Sequence, residues 1–260
     1  MAKRDERLVF GVGPVREVLA SRPDDVDKLV LSFSRAARAR HGRKPDPLVR
    51  LADTARERGI SVEEKPHSVL DRMAGPKIRH QGAIAVVVGR YAYADLDAIF
   101  GVAEARGEHA LVLALDQVTD PHNLGAVVRS AHVLGAHGVV LPQDRSAEIT
   151  PAAVKASAGA TEHVAVARVK NLARTLEEMK ERGLWNVAVT ATGADVSPLW
   201  DMPAGVPLCL VLGSEGKGIR PLVLRQCDLR AAIPMRGDGV GSLNVSVAAG
   251  VALYEVARKR

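Results

Sequence analysis

Apolar and polar positions follow two different periods in the first third of the chain. The runs KLVLSF (28–33) and AIAVVV (83–88) are short and apolar, which is typical of strands. Between them, PLVRLADTARERG (47–59) repeats its apolar residues at helical spacing. This pattern predicts a compact αβ domain over residues 1–90.

A second alternation follows residues 91–108, which we interpret as a linker. Strand-like runs occupy residues 111–115, 138–142, 164–167, 185–191 and 208–213. Helical patterns occupy residues 123–134, 151–158, 171–183 and 244–258. Strands that alternate with helices indicate a largely parallel sheet covered on both faces, so residues 109–260 are predicted to form an α/β domain.

The last predicted helix carries Val247, Val251 and Tyr254 at helical spacing. Either Ser242 or Asn244 supplies the side-chain oxygen that an N-cap needs at its start. We therefore expect a capped helix over residues 244–258.

The composition is that of a globular protein, with 47% of the residues hydrophobic and 25% charged. No apolar stretch reaches the roughly 18 residues of a membrane helix, and no signal peptide is evident, so we expect a cytoplasmic protein without a membrane partner. Cys209 and Cys227 lie far apart in apolar surroundings. We interpret them as buried small hydrophobic residues and expect no metal site.

The charge balance favours nucleic acid as a partner. The formal net charge is +6 and the pI is about 9.5. The run RAARARHGRK (35–44) contains five cations and no acid, which fits either a solvated loop or a phosphate-binding loop. Its cations are Arg35, Arg38, Arg40, Arg43 and Lys44. Aromatic residues make up only 3% of the chain, which argues against base stacking on an aromatic sheet.

Two common nucleotide-binding patterns are incomplete. In GVGPVR (11–16), Arg16 replaces the third glycine of the dinucleotide fingerprint G-x-G-x-x-G. In GSEGKGI (213–219), Gly218 stands where the Walker phosphate loop needs Ser or Thr. Neither kind of site is expected.

Glycines instead cluster in two loops that follow predicted strands, LGSEGKGI (212–219) and IPMRGDGVGSLN (233–244). Turn formation explains any one of these glycines, but two such loops favour close approach of the backbone to a ligand. Each loop also carries polar residues, namely Glu215, Ser242 and Asn244. Because ligands bind beyond the carboxyl ends of strands in open α/β sheets, we expect a ligand site there.

The stretch TDPHNLGAVVRSA (119–131) brackets a small apolar run with Asn123 and Arg129. Residues six apart on a helix point in different directions, so the two do not form a surface pair. Either Asn123 is a helix N-cap and Arg129 a surface cation, or both converge on a bound ligand.

Three segments resemble motifs 1, 2 and 3 of the SpoU/TrmH branch of SPOUT RNA 2'-O-ribose methyltransferases. They are the N-x-G-x-x-x-R pattern of Asn123, Gly125 and Arg129, the run LVLGSEGKGI (210–219), and IPM with SLNVSVAAGVALYE (233–255). The first domain opens with VFGVGPVREVL and closes with RHQGAIAVV. It is similar to the L30e-like substrate-binding domain of the RlmB-type enzymes, which methylate a guanosine in 23S rRNA.

The resemblance implies an α/β-knot fold with a deep trefoil knot at the C-terminal end, and S-adenosyl-L-methionine as cofactor. Backbone groups at Gly213, Ile233 and Leu243 would hold the cofactor, and four neighbours would complete the pocket. These neighbours are Glu215, Met235, Ser242 and Asn244. Family members are homodimers, so Asn123 and Arg129 would meet the cofactor of either chain. The stretch MRGDGVGSLN is one residue longer than the family spacing, which leaves the contacts between Met235 and Ser242 open.

The catalytic residues implied by the resemblance are Asn123, Arg129, Glu215 and Asn244. A guanidinium normally stays protonated, so we expect Arg129 to hold the target phosphate or the developing alkoxide rather than to remove the ribose proton. In the first domain, the basic run and the residues His80 and Gln81 would bind RNA.

The function implied is 2'-O-methylation of a guanosine in 23S rRNA. Two alternatives remain: methylation of a tRNA guanosine, and a catalytically silent RNA-binding factor for ribosome assembly. The long first domain argues against the former, and the intact motif residues argue against the latter.

Overall fold

The computed structural model describes residues 6–32, 46–76, 78–190, 195–236 and 241–260. The chain separates by its contacts into two compact units. The first comprises the residues up to Ala92 together with Ile149–His163, and the second comprises Tyr93–Glu148 and Val164–Arg260.

The first unit is built on a four-stranded sheet in the order β1-β4-β2-β3. Its strands are β1 (Glu6–Phe10), β2 (Val26–Leu31), β3 (Ser61–Glu64) and β4 (Ala83–Val88). Its helices are α1 (Val12–Ser21), α2 (Pro47–Glu57), α3 (His67–Ala74) and α6 (Pro151–Ala156), with 3-10 turns at Pro23–Asp25 and Ala160–Glu162. Strand β4 pairs antiparallel with β1 and β2, whereas β2 and β3 are parallel. Phe10, Val30, Leu70 and Ile84 form part of its hydrophobic core.

The second unit contains a seven-stranded sheet in the order β7-β6-β5-β10-β8-β11-β9, in which every pair is parallel. Its strands are β5 (Leu111–Asp116), β6 (Gly138–Pro142), β7 (Ala165–Val169), β8 (Trp185–Val189), β9 (Ser197–Pro198), β10 (Leu208–Gly213) and β11 (Leu229–Ala232). Its helices are α4 (Leu96–Arg106), α5 (Pro121–Val133), α7 (Leu172–Glu181), α8 (Pro221–Leu224) and α9 (Val245–Ala257), with a 3-10 turn at Leu199–Asp201. The parallel α/β sheet predicted from the alternation of strands and helices is confirmed.

The division of the chain differs from the expected one in two places. Residues 91–108 are not merely a linker, because they contain α4, whose Ile99 and Ala103 are buried in the core of the second unit. Gly138 fits closely against this helix, since an added Cβ would lie 2.5 Å from Cγ1 of Ile99. The segment Ile149–His163 belongs by its contacts to the first unit, although it lies within the predicted α/β domain. Helix α4 was missed because its apolar residues are not confined to one face, and the assignment of Ile149–His163 depends on tertiary contacts that a local pattern does not contain.

Strand β10 lies between β5 and β8 and brings distant segments to one edge of the sheet. Gly213 at the end of β10 pairs in register with Asp116 at the end of β5. All described residues of both strands are buried except Gly213, which is half-buried. The carboxyl ends of these strands therefore meet, as expected for a parallel sheet.

Helix α9 packs against α5 with a face different from the stripe noted in the sequence. Its buried residues include Ala249, Ala252, Leu253 and Val256, and small residues allow the two helices to approach closely. The apolar residues Val247, Val251 and Tyr254 are 50%, 38% and 60% exposed. Helix α9 thus presents a second apolar face outward.

Within the described part of the chain, no helix combines the length and the apolar character that crossing a membrane requires.

Candidate active site

A cavity of about 310 Å³ lies at the carboxyl edge of the second sheet, beyond β8, β10 and β11. Its size is within the range of small-molecule sites. Six of the seven residues expected to bind cofactor line it: Gly213, Glu215, Ile233, Met235, Ser242 and Leu243. Val189, Thr190 and Ala248 also line it, and the sequence did not mark them because they belong to ordinary strand and helix patterns.

The loop after β10 folds tightly over its own strand. The N–H group of Gly218 donates a hydrogen bond to the carbonyl oxygen of Ser214, with 2.9 Å between N and O. A Cβ at Gly213 would lie 2.1 Å from the carbonyl carbon of Gly218, a distance that no side chain tolerates against backbone. Gly216 and Gly218 have φ angles of 79° and 65°, which favour glycine. The glycines therefore build the wall of the cavity.

The same loop is anchored by Asp116 and Arg220, a pair that sequence reasoning missed. Asp116 is fully buried, and its carboxylate accepts hydrogen bonds from the backbone N and the Nε of Arg220, each at 2.8 Å. The Arg220 Nη2 also lies 2.7 Å from Oδ1. The two residues lie 104 positions apart, so no local pattern connects them. The one signal in the sequence was an aspartate at the end of an apolar strand.

Three of the predicted catalytic residues meet beside the cavity. Asn123 Nδ2 donates to Glu215 Oε1 at 3.1 Å, and Asn244 Nδ2 donates to Asn123 Oδ1 at 3.0 Å. Asn244 Nδ2 also donates to Glu215 Oε1. We call these three residues the polar triad.

Asn244 belongs to the polar triad and caps α9 at the same time. Its Oδ1 accepts hydrogen bonds from the backbone N of Ser246 at 2.9 Å and from the Ser246 Oγ at 2.6 Å. The cap directs the amide oxygen toward the helix, which leaves the amide nitrogen to face Asn123 and Glu215. Of the two predicted candidates for this cap, Ser242 and Asn244, the structure has Asn244.

Asn123 is not an N-cap, because α5 begins two residues earlier than its pattern predicted. The cap is Asp120, whose Oδ1 accepts a hydrogen bond from the backbone N of His122 at 2.9 Å. Pro121 occupies the first helical position, where its missing N–H costs nothing. Asn123 is therefore free to bond across to the other loops.

Arg129 stands apart from the polar triad. Its side chain is exposed, and no hydrogen bond or ion pair joins it to another residue in the described ranges. The 240° that separate positions six apart on an α-helix account for this divergence from Asn123.

The residues expected to bind RNA differ in whether the structure describes them and in whether they are exposed. Arg35, Arg38, Arg40, Arg43 and Lys44 lie outside the described residues. His80 is only 2% exposed, which corrects the expectation that it contacts RNA. Gln81 is exposed, and its Oε1 accepts a hydrogen bond from the backbone N of Val12 at 3.1 Å.

His80 organises the turn before β4. Its Nδ1 accepts a hydrogen bond from the backbone N of Gly82 at 3.0 Å, so the neutral ring carries its proton on Nε2, which lies 3.0 Å from Asp71 Oδ1. His67 joins these two residues in a cluster whose ligand atoms all lie within 4.8 Å. A metal would need the Nε2 lone pair that the proton occupies, so the geometry suits a hydrogen-bonded turn rather than a cation.

Neither cysteine carries the chemistry of the site. Burial raises the pKa of Cys227 to about 12 and raises that of Cys209 well above its usual value. Both thiols stay protonated near neutral pH and are poor nucleophiles. Cys209 is buried as predicted, and Cys227 is partly buried.

Two family models match the chain. The SpoU rRNA methylase family covers residues 110–254, and the RNA 2'-O ribose methyltransferase substrate-binding family covers residues 8–91. Among curated proteins, a putative TrmH family tRNA/rRNA methyltransferase of Bacillus subtilis is 47% identical over 81% of this chain and 82% of its own.

Solved structures agree with these matches. The SpoU methyltransferase AviRb from Streptomyces viridochromogenes, in complex with the cofactor AdoMet, is 27% identical and has a TM-score of 0.74, covering 98% of this chain and 90% of its own. A TrmH/SpoU tRNA-modifying enzyme of A. aeolicus is 31% identical, with a TM-score of 0.54, but covers only 59% of this chain and 76% of its own. The chain therefore belongs to the SpoU rRNA methylase family and is an S-adenosyl-L-methionine-dependent RNA 2'-O-methyltransferase.

Proposed function

We propose that this enzyme methylates the ribose of a guanosine in 23S rRNA, and that it does so in the cytoplasm as a homodimer of the RlmB type. The observation that carries the proposal is the cavity of about 310 Å³ with the polar triad beside it. This arrangement would put a bound cofactor next to polar groups that can orient a substrate hydroxyl.

The residues of the cavity fit S-adenosyl-L-methionine. Leu212, Ile219 and Ile233 offer apolar surface for a flat base, and the backbone of the Gly213 loop offers hydrogen-bonding groups. When bound, the cofactor supplies a methyl group on a sulfonium, which an oxygen nucleophile attacks in line. We also propose that the last segment of the chain forms the trefoil knot expected for this family.

The polar triad would position the ribose rather than deprotonate it by itself. Glu215 Oε1 already accepts hydrogen bonds from Asn123 and Asn244, and these bonds fix the carboxylate near the cavity. A fixed carboxylate can accept the hydrogen bond of a ribose hydroxyl and orient its oxygen. Because Arg129 is exposed and lacks a partner in the described residues, it would hold a phosphate or the developing alkoxide.

The outward apolar face of α9 supports the homodimer. Val247, Val251 and Tyr254 lie on one helix, and Val133 on the neighbouring α5 is 72% exposed. Apolar surface of this kind is typical of protein interfaces. In such a dimer Arg129 would act at the site of the partner subunit, a role that suits its separation from Asn123 in the single chain.

The first unit supports rRNA over tRNA as the substrate. The match to the tRNA-modifying enzyme spans only 59% of the chain, so a large part of this protein has no counterpart in that match. In addition, residues 8–91 match a family of RNA 2'-O ribose methyltransferase substrate-binding domains. An extra RNA-binding unit suits a large folded RNA.

The test is to incubate the full-length protein with labelled cofactor and transcripts of either 23S rRNA or tRNA, and to map the labelled nucleotide. We expect label on one guanosine ribose of 23S rRNA. Label on tRNA alone would contradict the proposal that 23S rRNA is the substrate. Label on neither RNA would contradict the proposed methyl transfer as well. The full chain is needed because deleting residues 1–90 would strip β1 and α1 from the segment Ile149–His163.

A further inference from the structure

We propose that Arg79 and Lys155 form a binding site for a phosphate group of the RNA backbone on the first unit. The inference rests on the proposed RNA substrate and adds a further part of the chain to the RNA-binding surface. Lys155 belongs to the region matched by the SpoU rRNA methylase family, outside the matched substrate-binding region of residues 8–91.

The segment Ile149–His163 is built into the first unit. Helix α6 packs against β1, and the 3-10 turn Ala160–Glu162 packs against α1. The fit is close, because a Cβ at Gly159 would lie 2.7 Å from Cγ of Glu17. The Tyr91 hydroxyl donates a hydrogen bond to the carbonyl oxygen of Thr161 at 3.1 Å. Lys155 is therefore held on this unit.

The Arg79 turn and the Lys155 segment both adjoin the start of α1. On one side, Gln81 bonds to the backbone N of Val12, and His80 fixes the turn through Gly82. On the other side, the carbonyl oxygen of Ala158 lies 3.6 Å from the Cβ position of Gly13. The first helix thus contacts both segments, and the two cations lie close enough to repel each other.

Three acids near these segments already have partners, and the first is Asp71, whose Oδ1 lies 3.0 Å from Nε2 of His80. Glu162 pairs with Arg7 at 3.3 Å and also with Arg22. Glu17 pairs with Arg16 at 2.7 Å and with His163 at 2.9 Å. In contrast, the side chains of Arg79 and Lys155 have no hydrogen bond or ion pair within the described residues.

Lys155 is also only half-exposed, and two effects oppose its charge. Burial lowers its pKa because the ammonium loses water, and the Arg79 guanidinium lowers it further by repulsion. Two cations without a counter-ion are an unfavourable arrangement in the free protein. A phosphate offers several acceptor oxygens and would offset both effects at once.

The test compares three variants of the full-length protein. Lys155→Met removes the charge and keeps most of the side-chain length, whereas Arg79→Gln removes the other charge at an exposed position. Lys65→Met is the matched control, because Lys65 lies on the same unit and is paired with Glu63 at 3.4 Å. Binding to a labelled 23S rRNA transcript is measured by filter binding over a series of salt concentrations.

We expect Lys155→Met and Arg79→Gln each to weaken rRNA binding about tenfold. The slope of log affinity against log salt should fall by about 0.7 to 0.9 for each lost contact. Lys155→Met should not lower the melting temperature, because it removes a desolvated charge, and cofactor binding should be unchanged. Lys65→Met should leave the rRNA affinity close to that of the wild type.

The proposal is overturned if both variants bind the transcript with wild-type affinity and salt slope while the wild type methylates it. In that case the proposed function stands without this site. A wild type that neither binds nor methylates the transcript would instead contradict the proposed function, and the inference with it.

Discussion

The carboxyl edge of the second sheet and the turn before β4 of the first unit both carry polar residues that the sequence marked as functional. At the sheet edge, the side chains of Asn123, Glu215 and Asn244 come from three separate segments and bond to one another beside a cavity. At the turn, His80 is buried and bonds to Gly82 and Asp71. The difference shows that a polar residue in the sequence is not enough to indicate a site. The fold must also place its hydrogen-bonding groups beside a cavity.

A second buried histidine supports the interpretation that His80 stabilises the local backbone. In the second unit, His137 Nδ1 accepts a hydrogen bond from the backbone N of Leu111 at 2.9 Å, and its Nε2 lies 3.0 Å from Glu108 Oε2. The two histidines share the same pair of bonds, one to backbone and one to an exposed carboxylate. In both cases the arrangement gives each ring nitrogen of a buried histidine a hydrogen-bond partner.

The largest expected effect comes from adding a side chain in the glycine-rich loop after β10. Gly213→Ala should lower methyl transfer about a hundredfold or more, because the new Cβ would displace the backbone of Gly218 and with it the cavity wall. Cofactor affinity by calorimetry and initial rates measure the effect. Gly205→Ala is the control, since nothing lies within 4 Å of its added Cβ. A variant as active as this control would show that the loop is not the cofactor wall.

The next test removes one member of the polar triad. Asn123→Ala should lower kcat about a hundredfold and change the KM for cofactor little, because Asn123 bonds to Glu215 but does not line the cavity. His122→Ala serves as the neighbouring control, since this side chain is exposed. Equal loss of rate in both variants would mean that helix α5, and not the polar triad, is responsible.

The anchor of the loop should be sensitive to which partner is removed. Arg220→Gln leaves the carboxylate of Asp116 buried without a cation and should cost about 3–5 kcal/mol of the free energy of unfolding. Asp116→Asn leaves only a half-exposed arginine and should cost about 1.5–3 kcal/mol. Urea unfolding ranks the two variants, with exposed Arg225→Gln as the control. The opposite order would contradict the anchor as described.

The smallest expected effect is the pH dependence of stability at His137. Burial lowers its pKa below the usual 6.5, although Glu108 opposes the shift. The unfolded chain therefore binds this proton at a higher pH than the folded protein, so stability should fall as the pH drops below about 6.5. His137→Gln should weaken this dependence in urea midpoints measured at several pH values. If His137→Gln leaves the pH dependence of stability unchanged, groups other than His137 cause it.

Much of the fold was predictable from local pattern. The apolar runs at residues 111–115, 138–142 and 208–213 became strands of a parallel sheet. Short or polar strands such as β1, β3 and β9 were not marked, because a few residues of mixed character carry no clear period. The start of α5 was misplaced by two residues because its cap, Asp120, and its first residue, Pro121, lie outside the apolar pattern.

Of the candidate site, the sequence by itself determined the chemistry of the parts: two glycine loops, an asparagine cap, and a helix that bears Asn123 and Arg129. Only the tertiary structure decided which parts meet. Strand β10 lies between β5 and β8 and brings Gly213 next to Asp116, while the cap of α9 directs Asn244 toward Asn123. The physical reason is that local propensity depends on neighbours in the chain, whereas a site depends on strand order and burial, which bring together residues about a hundred positions apart.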